Sequence, residues 1–174
     1  SEVSSHAVAA SGDSSTADGG AAAAPAERLR VLIAEDVESQ RLTLSRLLLS
    51  MGFEVEAAVD GVEALAMLGA RRPDILVTDL LMPGLDGIGL CRAMRSTPAG
   101  AMTYAIVLTA SDDQGKLVEA FDAGADDYIT KPIVRREFEA RMRGARRVVA
   151  LQHQLEREAE RLRASNSRIE AVNR

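Results

Sequence analysis

The chain has 174 residues, 47% of them hydrophobic, which suits one domain of ordinary size with extensions. Its single cysteine, Cys91, excludes an intrachain disulfide and suits a reducing cytosol, and no apolar run approaches the roughly 20 residues of a membrane span. The net charge of −5 is concentrated in the middle of the chain, which disfavours a nucleic-acid-binding face, so we expect a cytoplasmic protein that binds neither nucleic acid nor membrane.

The N-terminal segment, residues 1–26, is rich in Ala, Ser and Gly and has almost no bulky side chains. Such a segment cannot bury enough apolar area to offset the entropy of ordering, so it is predicted to be a disordered tail.

From Leu29 to about Arg147, short β-branched runs alternate five times with amphipathic segments. Strands are predicted at 29–34, 53–58, 74–78, 104–109 and 127–130. Helices between them are predicted at 37–51, 61–68, 85–95 and 112–123, the last beginning on an acidic N-cap pair. This β-α repetition predicts an α/β fold, with helices on both faces of a parallel sheet.

A final helix is predicted from about Val134 to Arg174, because no proline interrupts this segment. It would be about 60 Å long at 1.5 Å per residue. A heptad pattern is indicated by Val148, Leu155, Leu162 and Ile169 at d, and by Gln152, Ala159, Asn166 and Asn173 at a. It predicts a parallel coiled-coil homodimer, with Glu158 facing Arg163 of the partner. A solvated helix that frays beyond the domain remains an alternative.

Polar residues follow four of the predicted strands. Glu35 and Asp36 follow the first, Asp79 the third, Thr109 ends the fourth and Lys131 follows the fifth. Because the carboxyl ends of parallel strands meet at one edge of a sheet, three acids, a hydroxyl and an ammonium should share one pocket.

These residue types suit a divalent cation and a phosphoryl group. Glu35 and Asp36 could cap the next helix, yet two adjacent acids repel each other, and Mg²⁺ would relieve that repulsion. Asp79 precedes a loop, which weakens a capping role. The chain has nineteen Arg and only two Lys, so Lys131 indicates a need for a compact ammonium, and a cis bond before Pro132 would fix its direction. Together the groups match the requirements of aspartyl phosphorylation.

Motifs at residues 31–36, 78–87, 108–110 and 124–132 resemble, in order and spacing, the receiver domain of bacterial response regulators, in particular chemotaxis-type regulators. The resemblance covers about residues 28–148. It implies a flavodoxin-like (βα)₅ doubly wound parallel sheet with strand order 2-1-3-4-5, here followed by an extended C-terminal helix.

The resemblance also implies a phosphorylation site and a metal site. Asp79 would accept a phosphoryl group from a sensor histidine kinase or a phosphotransfer protein. Mg²⁺ would be surrounded, directly or through water, by Glu35, Asp36, Asp79 and the backbone carbonyl of Leu81.

Two further roles are implied. Thr109 and Lys131 would bind the phosphoryl oxygens, and Tyr128 would be an aromatic switch that turns inward when Thr109 moves. The small Ala110 would leave access to Asp79.

Other enzyme classes fit poorly. A hydrolase of the haloacid dehalogenase type would need a second Asp where Leu81 stands, and a dinucleotide-binding enzyme would need a Gly-rich turn where Glu35 and Asp36 stand. A structural coiled-coil dimerisation module with an unused receiver-like domain remains an alternative.

The expected organisation is a tail at 1–26, a receiver domain at 28–148 and a coiled-coil signalling helix at 149–174. The helix would lead to an output domain absent from this sequence, and by analogy we favour a diguanylate cyclase. The receiver itself is not expected to be an enzyme, beyond catalysing its own phosphorylation and dephosphorylation.

Overall fold

A parallel sheet lies at the centre of the computed structural model, which describes residues 28–110 and 114–174. Within these ranges the sheet has five strands in the order 2-1-3-4-5. They are β1 (Arg30–Ala34), β2 (Glu54–Ala58), β3 (Ile75–Asp79), β4 (Tyr104–Ala110) and β5 (Asp127–Lys131). The helices are α1 (Glu38–Ser50), α2 (Gly61–Ala70), α3 (Gly87–Arg95), α4 (Gln114–Asp122) and α5 (Arg135–Val172). The predicted fold is confirmed.

Alternate residues of each strand enter two separate cores. Val31 and Ile33 of β1 pack on the side of α1 and α5, with Leu48 and Phe138. Leu32 packs on the opposite side, with residues of α2, α3 and α4. Because successive side chains of a strand point to opposite faces, a run that is apolar throughout is what a strand covered on both sides requires.

The predicted strand boundaries agree with the structure to within one residue. Helix α3 begins two residues later than predicted, because the Asp86 carboxylate caps it by accepting a hydrogen bond from the Gly89 amide at 2.7 Å. The predicted acidic start of α4 at Asp112 lies outside the described residues. A 3₁₀ helix at Ala99–Met102 was not predicted, and it accepts hydrogen bonds from the Arg95 guanidinium.

Helix α5 is anchored only along its first part. Phe138, Met142, Ala145 and Val149 are its buried residues. Arg146 adds a hydrogen bond to the Met51 carbonyl at 2.7 Å and lies 4.3 Å from the centre of the Phe53 ring. Beyond Val149, His153 Nε2 still contacts Asp74 Oδ1 at 3.1 Å, and the helix then continues, largely exposed, to Val172, so the predicted long helix is confirmed. Neither it nor another helix in the described ranges combines the length and apolar character needed to cross a membrane.

Glycine at the start of α3 allows this helix to begin against the end of β3. A Cβ on Gly87 would lie 2.3 Å from the Asp79 carbonyl oxygen, whereas a Cβ on Gly144, within α5, would meet no atom within 4 Å. We expect Gly87→Ala to lower the free energy of unfolding by about 1–3 kcal/mol through overpacking. The control Gly144→Ala should raise it by about 0.5–1 kcal/mol, because it removes backbone freedom inside a helix. Urea denaturation measures both, and equal effects of the two substitutions would contradict this packing argument.

Candidate functional site

Strand register brings the predicted site residues to one edge of the sheet. Ala34 of β1 pairs with Thr78 of β3, so the next residues, Glu35 and Asp79, lie side by side. Asp79 in turn pairs with Leu108 of β4, and Ala110 pairs with Lys131 of β5. The acids, Thr109 and Lys131 therefore meet because four parallel strands end together.

The two faces of the sheet divide these residues into two groups. Asp79 and Lys131 stand two residues after Val77 and Ile129, which pack on the α1 and α5 side. Thr109 stands two residues after Val107, which packs on the α2, α3 and α4 side. With a side-chain period of two, Asp79 and Lys131 share one face and Thr109 belongs to the other.

The Lys131 ammonium is the centre of the first group. Its Nζ donates hydrogen bonds to Asp79 Oδ2 at 2.6 Å, Gln40 Oε1 at 2.8 Å and Glu35 Oε2 at 3.2 Å. Burial acts to lower the pKa of Lys131, but the hydrogen bond and charge of Asp79, together with those of Glu35, outweigh it and raise the pKa. Lys131 therefore stays protonated at neutral pH.

Glu35 is completely buried. Its Oε1 accepts a hydrogen bond from the Val37 amide at 3.1 Å, and its backbone carbonyl accepts one from Arg41 at 2.9 Å. Burial raises the pKa of Glu35, and the Asp79 charge raises it further, although the Val37 amide and Lys131 oppose both. Burying the charged form of Glu35 therefore costs free energy, and the Lys131 ammonium offsets only part of that cost.

Glu35, Asp36 and Asp79 form the cluster of possible metal ligands in the described part of the chain. Each offers a carboxylate oxygen, and these oxygens lie within 4.8 Å of one another. Asp36 is exposed to solvent, whereas Glu35 is buried. An all-oxygen donor set that carries more negative charge than its one ammonium balances fits a hard divalent cation such as Mg²⁺.

A cleft opens beside Asp79. Its volume is about 320 Å³, and its lining includes Asp79, Leu81, Thr109, Ala110 and Lys131. The Leu81 amide donates to Asp79 Oδ1 at 3.3 Å, and the Thr109 hydroxyl donates to the Ala110 carbonyl at 3.0 Å. Asp79 Oδ2 is thus bound by Lys131 and Oδ1 by the Leu81 amide, and the residue lines a cleft large enough for a phosphoryl group.

The predicted switch residue Tyr128 lies on β5. It pairs in register with Val107, which faces the α2, α3 and α4 side of the sheet. Its ring packs edge-on against Phe121 of α4, with the centroids 6.0 Å apart and the ring planes at 85°. Tyr128 and Thr109 therefore lie on the same side of the sheet, away from the Lys131 contacts.

Gln40 was missed by the sequence argument. It lies in the first turn of α1 and accepts a hydrogen bond from Lys131, 91 residues away in the chain. An exposed glutamine in an amphipathic helix is ordinary, so no pattern marked it. The Lys131–Pro132 peptide bond is cis, as anticipated.

Comparison with known proteins gives a consistent result. The response regulator receiver domain profile matches residues 31–143. Response regulator MprA of Mycobacterium avium (strain 104) is 48% identical over 115 residues, which make up 66% of this chain and 50% of that protein. The chain therefore spans about half the length of the curated relatives it matches.

Solved structures are similar too. The receiver domain of sensor histidine kinase PA1611 from Pseudomonas aeruginosa PAO1, with a magnesium ion coordinated in its active site cleft, has a TM-score of 0.63 and 29% identity, covering 71% of this chain and 98% of that one. A probable two-component system response regulator/GGDEF domain protein has a TM-score of 0.66 and 25% identity, covering 70% of this chain and 50% of that one.

The charge balance around Lys131 predicts opposite effects of two substitutions on the metal-free protein. Lys131→Met should lower the free energy of unfolding by about 1–3 kcal/mol, less than the loss of a fully buried partner, because its side chain is 23% exposed. Glu35→Gln should raise this free energy at neutral pH, since it removes a charge that burial disfavours and keeps an acceptor for Lys131. Urea denaturation with a chelator present measures both. If the Glu35→Gln variant were instead less stable than the wild type, the contacts of the Glu35 carboxylate would outweigh the free-energy cost of burying its charge.

Proposed function

The chain belongs to the response regulator receiver domain family, and we propose that Asp79 is its phosphorylation site, accepting a phosphoryl group from a sensor histidine kinase or a phosphotransfer protein. One observation carries the proposal. Lys131 Nζ lies 2.6 Å from Asp79 Oδ2, and both residues line a cleft large enough for a phosphoryl group. Asp79 is thus held in one orientation beside the cleft into which a phosphoryl donor would enter.

In the transfer, an Asp79 oxygen attacks phosphorus, a P–O bond forms, and the P–N bond to the donor imidazole breaks as the imidazole leaves. Lys131 and Thr109 line the cleft and donate hydrogen bonds to the phosphoryl oxygens. Positioning and charge neutralisation are the main sources of catalysis in such reactions. We propose that the domain catalyses only its own phosphorylation and its own dephosphorylation, in which water hydrolyses the phosphoryl group from Asp79.

Magnesium is the metal that the acidic cluster suits. We propose that Glu35, Asp36, Asp79 and the Leu81 carbonyl hold it, by analogy with the magnesium ion in the cleft of the PA1611 receiver domain. When bound, Mg²⁺ neutralises charge on the phosphoryl oxygens. Buried Glu35 would be a ligand held in a fixed position, and exposed Asp36 a ligand free to adjust its position.

Thr109 and Tyr128 are proposed to relay the phosphorylated state. Both lie on the α4 side of the sheet, and Tyr128 packs against Phe121 of that helix. A Thr109 hydroxyl that turns towards a phosphoryl oxygen vacates space on this side, which Tyr128 can fill. Phosphorylation would then shift an existing equilibrium rather than create a new structure.

The projecting part of α5 is proposed to form a parallel coiled coil that passes the state of the receiver to an effector. Leu155, Leu162 and Ile169 are 65%, 66% and 56% exposed, an arrangement that suits burial against a second copy. Leu151 and Val172, at flanking g positions, are also exposed and widen this apolar stripe. A diguanylate cyclase is our preferred effector, by analogy with the response regulator/GGDEF domain protein.

The first test concerns the acceptor. Asp79→Asn should abolish the mass increase of one phosphoryl group that acetyl phosphate and Mg²⁺ produce in the wild-type chain, because the amide oxygen is a poor nucleophile. Intact-mass spectrometry measures this, and the exposed control Asp122→Asn should be labelled normally. Wild-type labelling of Asp79→Asn would refute the assignment, whereas a wild-type chain that is never labelled would favour an unused receiver-like domain.

The second test concerns the metal. Asp36→Ala should weaken Mg²⁺ binding by at least about tenfold, since loss of even an outer-shell partner costs that much. Asp36 is exposed, so the fold should tolerate the change, and the exposed control Glu38→Ala should bind normally. Calorimetric titration gives both affinities. Equal affinities would remove Asp36 from the site.

The third test concerns the coiled coil. Sedimentation should show a dimer that tightens when beryllofluoride mimics phosphorylation. Leu162→Glu should shift this equilibrium to monomer, because it places a charge in the apolar seam, whereas Arg161→Glu, outside the seam, should have a small effect. A monomer in both states at high concentration, or an antiparallel pairing of the helices, would contradict the proposal.

A further inference from the structure

A second cleft lies at the opposite edge of the sheet from Asp79, where α5 leaves the domain. Its volume is about 720 Å³, within the range of about 300–1,000 Å³ typical of small-molecule sites. Arg28 and Arg30 line it from the start of β1, Arg146 and Arg157 line it from α5, and His153 and Asp74 complete its polar lining. The cleft therefore joins the base of the domain to the projecting helix.

The cleft has an excess of positive charge in a chain whose net charge is −5. Four arginines line it against one acidic residue, Asp74, and of the four only Arg30 is paired with further glutamates, Glu54 and Glu56, among the described residues. The Asp74 carboxylate is already engaged, because Oδ2 accepts from the Arg30 amide at 2.8 Å and Oδ1 lies 3.1 Å from His153 Nε2. Like charges held together around one cavity repel each other, and a bound anion would remove that cost.

Two of the four arginines have structural roles. Arg146 donates to the Met51 carbonyl and stacks on Phe53. Arg30 donates to the Arg72 carbonyl at 2.7 Å, yet its Nε is buried without a hydrogen-bond partner, and the nearest carboxylate oxygens lie 3.8 and 4.0 Å from its guanidinium. This buried nitrogen is not accessible to a ligand, and Glu54 and Glu56 face the charge of Arg30.

The other two arginines, Arg28 and Arg157, make no ion pair or hydrogen bond with a residue in the described ranges, 28–110 and 114–174. They stand on the two walls of the cleft, one on the domain and one on the helix. A structural explanation accounts for Arg146 and in part for Arg30, but not for these two. Guanidinium groups that converge without carboxylate partners are suited to phosphate oxygens.

We propose that this cleft binds a small phosphate-bearing anion of nucleotide size. The phosphates would lie between Arg28 and Arg157. Leu29, Met51 and Ala150 supply apolar lining for the rest of the molecule. The site is separate from the phosphorylation site, because β1 begins at Arg30 and Asp79 lies at the far end of the neighbouring strand.

A ligand in this cleft would also connect two parts of the protein. Arg157 lies eight residues beyond Val149, the last buried residue of α5. The contact between His153 Nε2 and Asp74 Oδ1, at 3.1 Å, links this part of the helix to the domain base. A phosphate bridging Arg28 and Arg157 would add a second link and steady the direction in which α5 projects.

The test uses the full 174-residue chain in buffer with a chelator, which prevents metal-dependent binding near Asp79. Pyrophosphate and adenosine 5′-diphosphate are the probes, followed through amide chemical shifts in ¹⁵N NMR spectra. Saturable shifts should appear at Leu29, Gly52 and His153. Arg28→Ala and Arg157→Ala should each weaken binding by about tenfold, the value of one hydrogen bond between charged groups, whereas Arg163→Ala, on another side of α5, should leave it unchanged.

Adenosine 5′-diphosphate should bind more tightly than pyrophosphate, because only the nucleotide can use the apolar lining. Equal affinities would overturn the nucleotide-size part of the proposal. No saturable shift at millimolar probe, shifts confined to Leu81 and Thr109, or equal affinities of the wild type and the Arg28→Ala and Arg157→Ala variants would overturn the site itself.

Discussion

The contact between the Lys131 ammonium and the Asp79 carboxylate is the interaction on which the site depends. Two unit charges 4 Å apart interact by about 4 kcal/mol at an effective dielectric constant of 20, so crowding Glu35, Asp36 and Asp79 at one sheet edge costs several such repulsions. Lys131 offsets part of this cost, and its placement follows from the pairing of β5 with β4. The negative charge that remains would favour a divalent cation at this edge.

The alternation of strand side chains then places the residues proposed for phosphoryl transfer and those proposed for the relay on opposite faces of the sheet. Asp79 and Lys131 face α1, where Gln40 completes the partners of the ammonium, while Thr109 and Tyr128 face α4. Asp79 and Thr109 nevertheless line one cleft, because β3 and β4 are neighbours and both end there. A group added to Asp79 is therefore within reach of a residue on the opposite face. In the proposed relay, that geometry would allow phosphorylation of Asp79 to alter packing against α4 without disturbing the core that holds Lys131.

Prediction from sequence succeeded where the signal was local and failed where it depended on tertiary contact. The strand ends at Asp79 and Lys131 could be located because apolar runs stop abruptly at charged residues, and the topology of parallel sheets then brings these ends together. The partnership of Gln40 with Lys131 had no comparable signal, since it joins two side chains that are 91 residues apart in the chain. The basic cleft was missed for the same reason. Arg28 and Arg157 are far apart in sequence, and the arginines of α5 alternate with glutamates in a way that is typical of a solvated helix.

The proposed pairing of the long helix would have a marginal energy balance, which is what regulation by a small coupling energy requires. Burying three large aliphatic side chains per chain, such as Leu155, Leu162 and Ile169, is worth about 1.5–3 kcal/mol each, or about 9–18 kcal/mol for a pair of helices. Association costs about 4–15 kcal/mol before any contact is counted, so the two ranges overlap and pairing lies close to balance. Gln152 and His153 are half-buried at the base of the domain, so the apolar contact between the two helices can extend little further towards the receiver. Coupling energies between distant sites are typically about 1–3 kcal/mol. A helix pair this close to balance can be controlled by a coupling of that size, whereas a longer and more apolar coiled coil would stay dimeric whatever the state of Asp79.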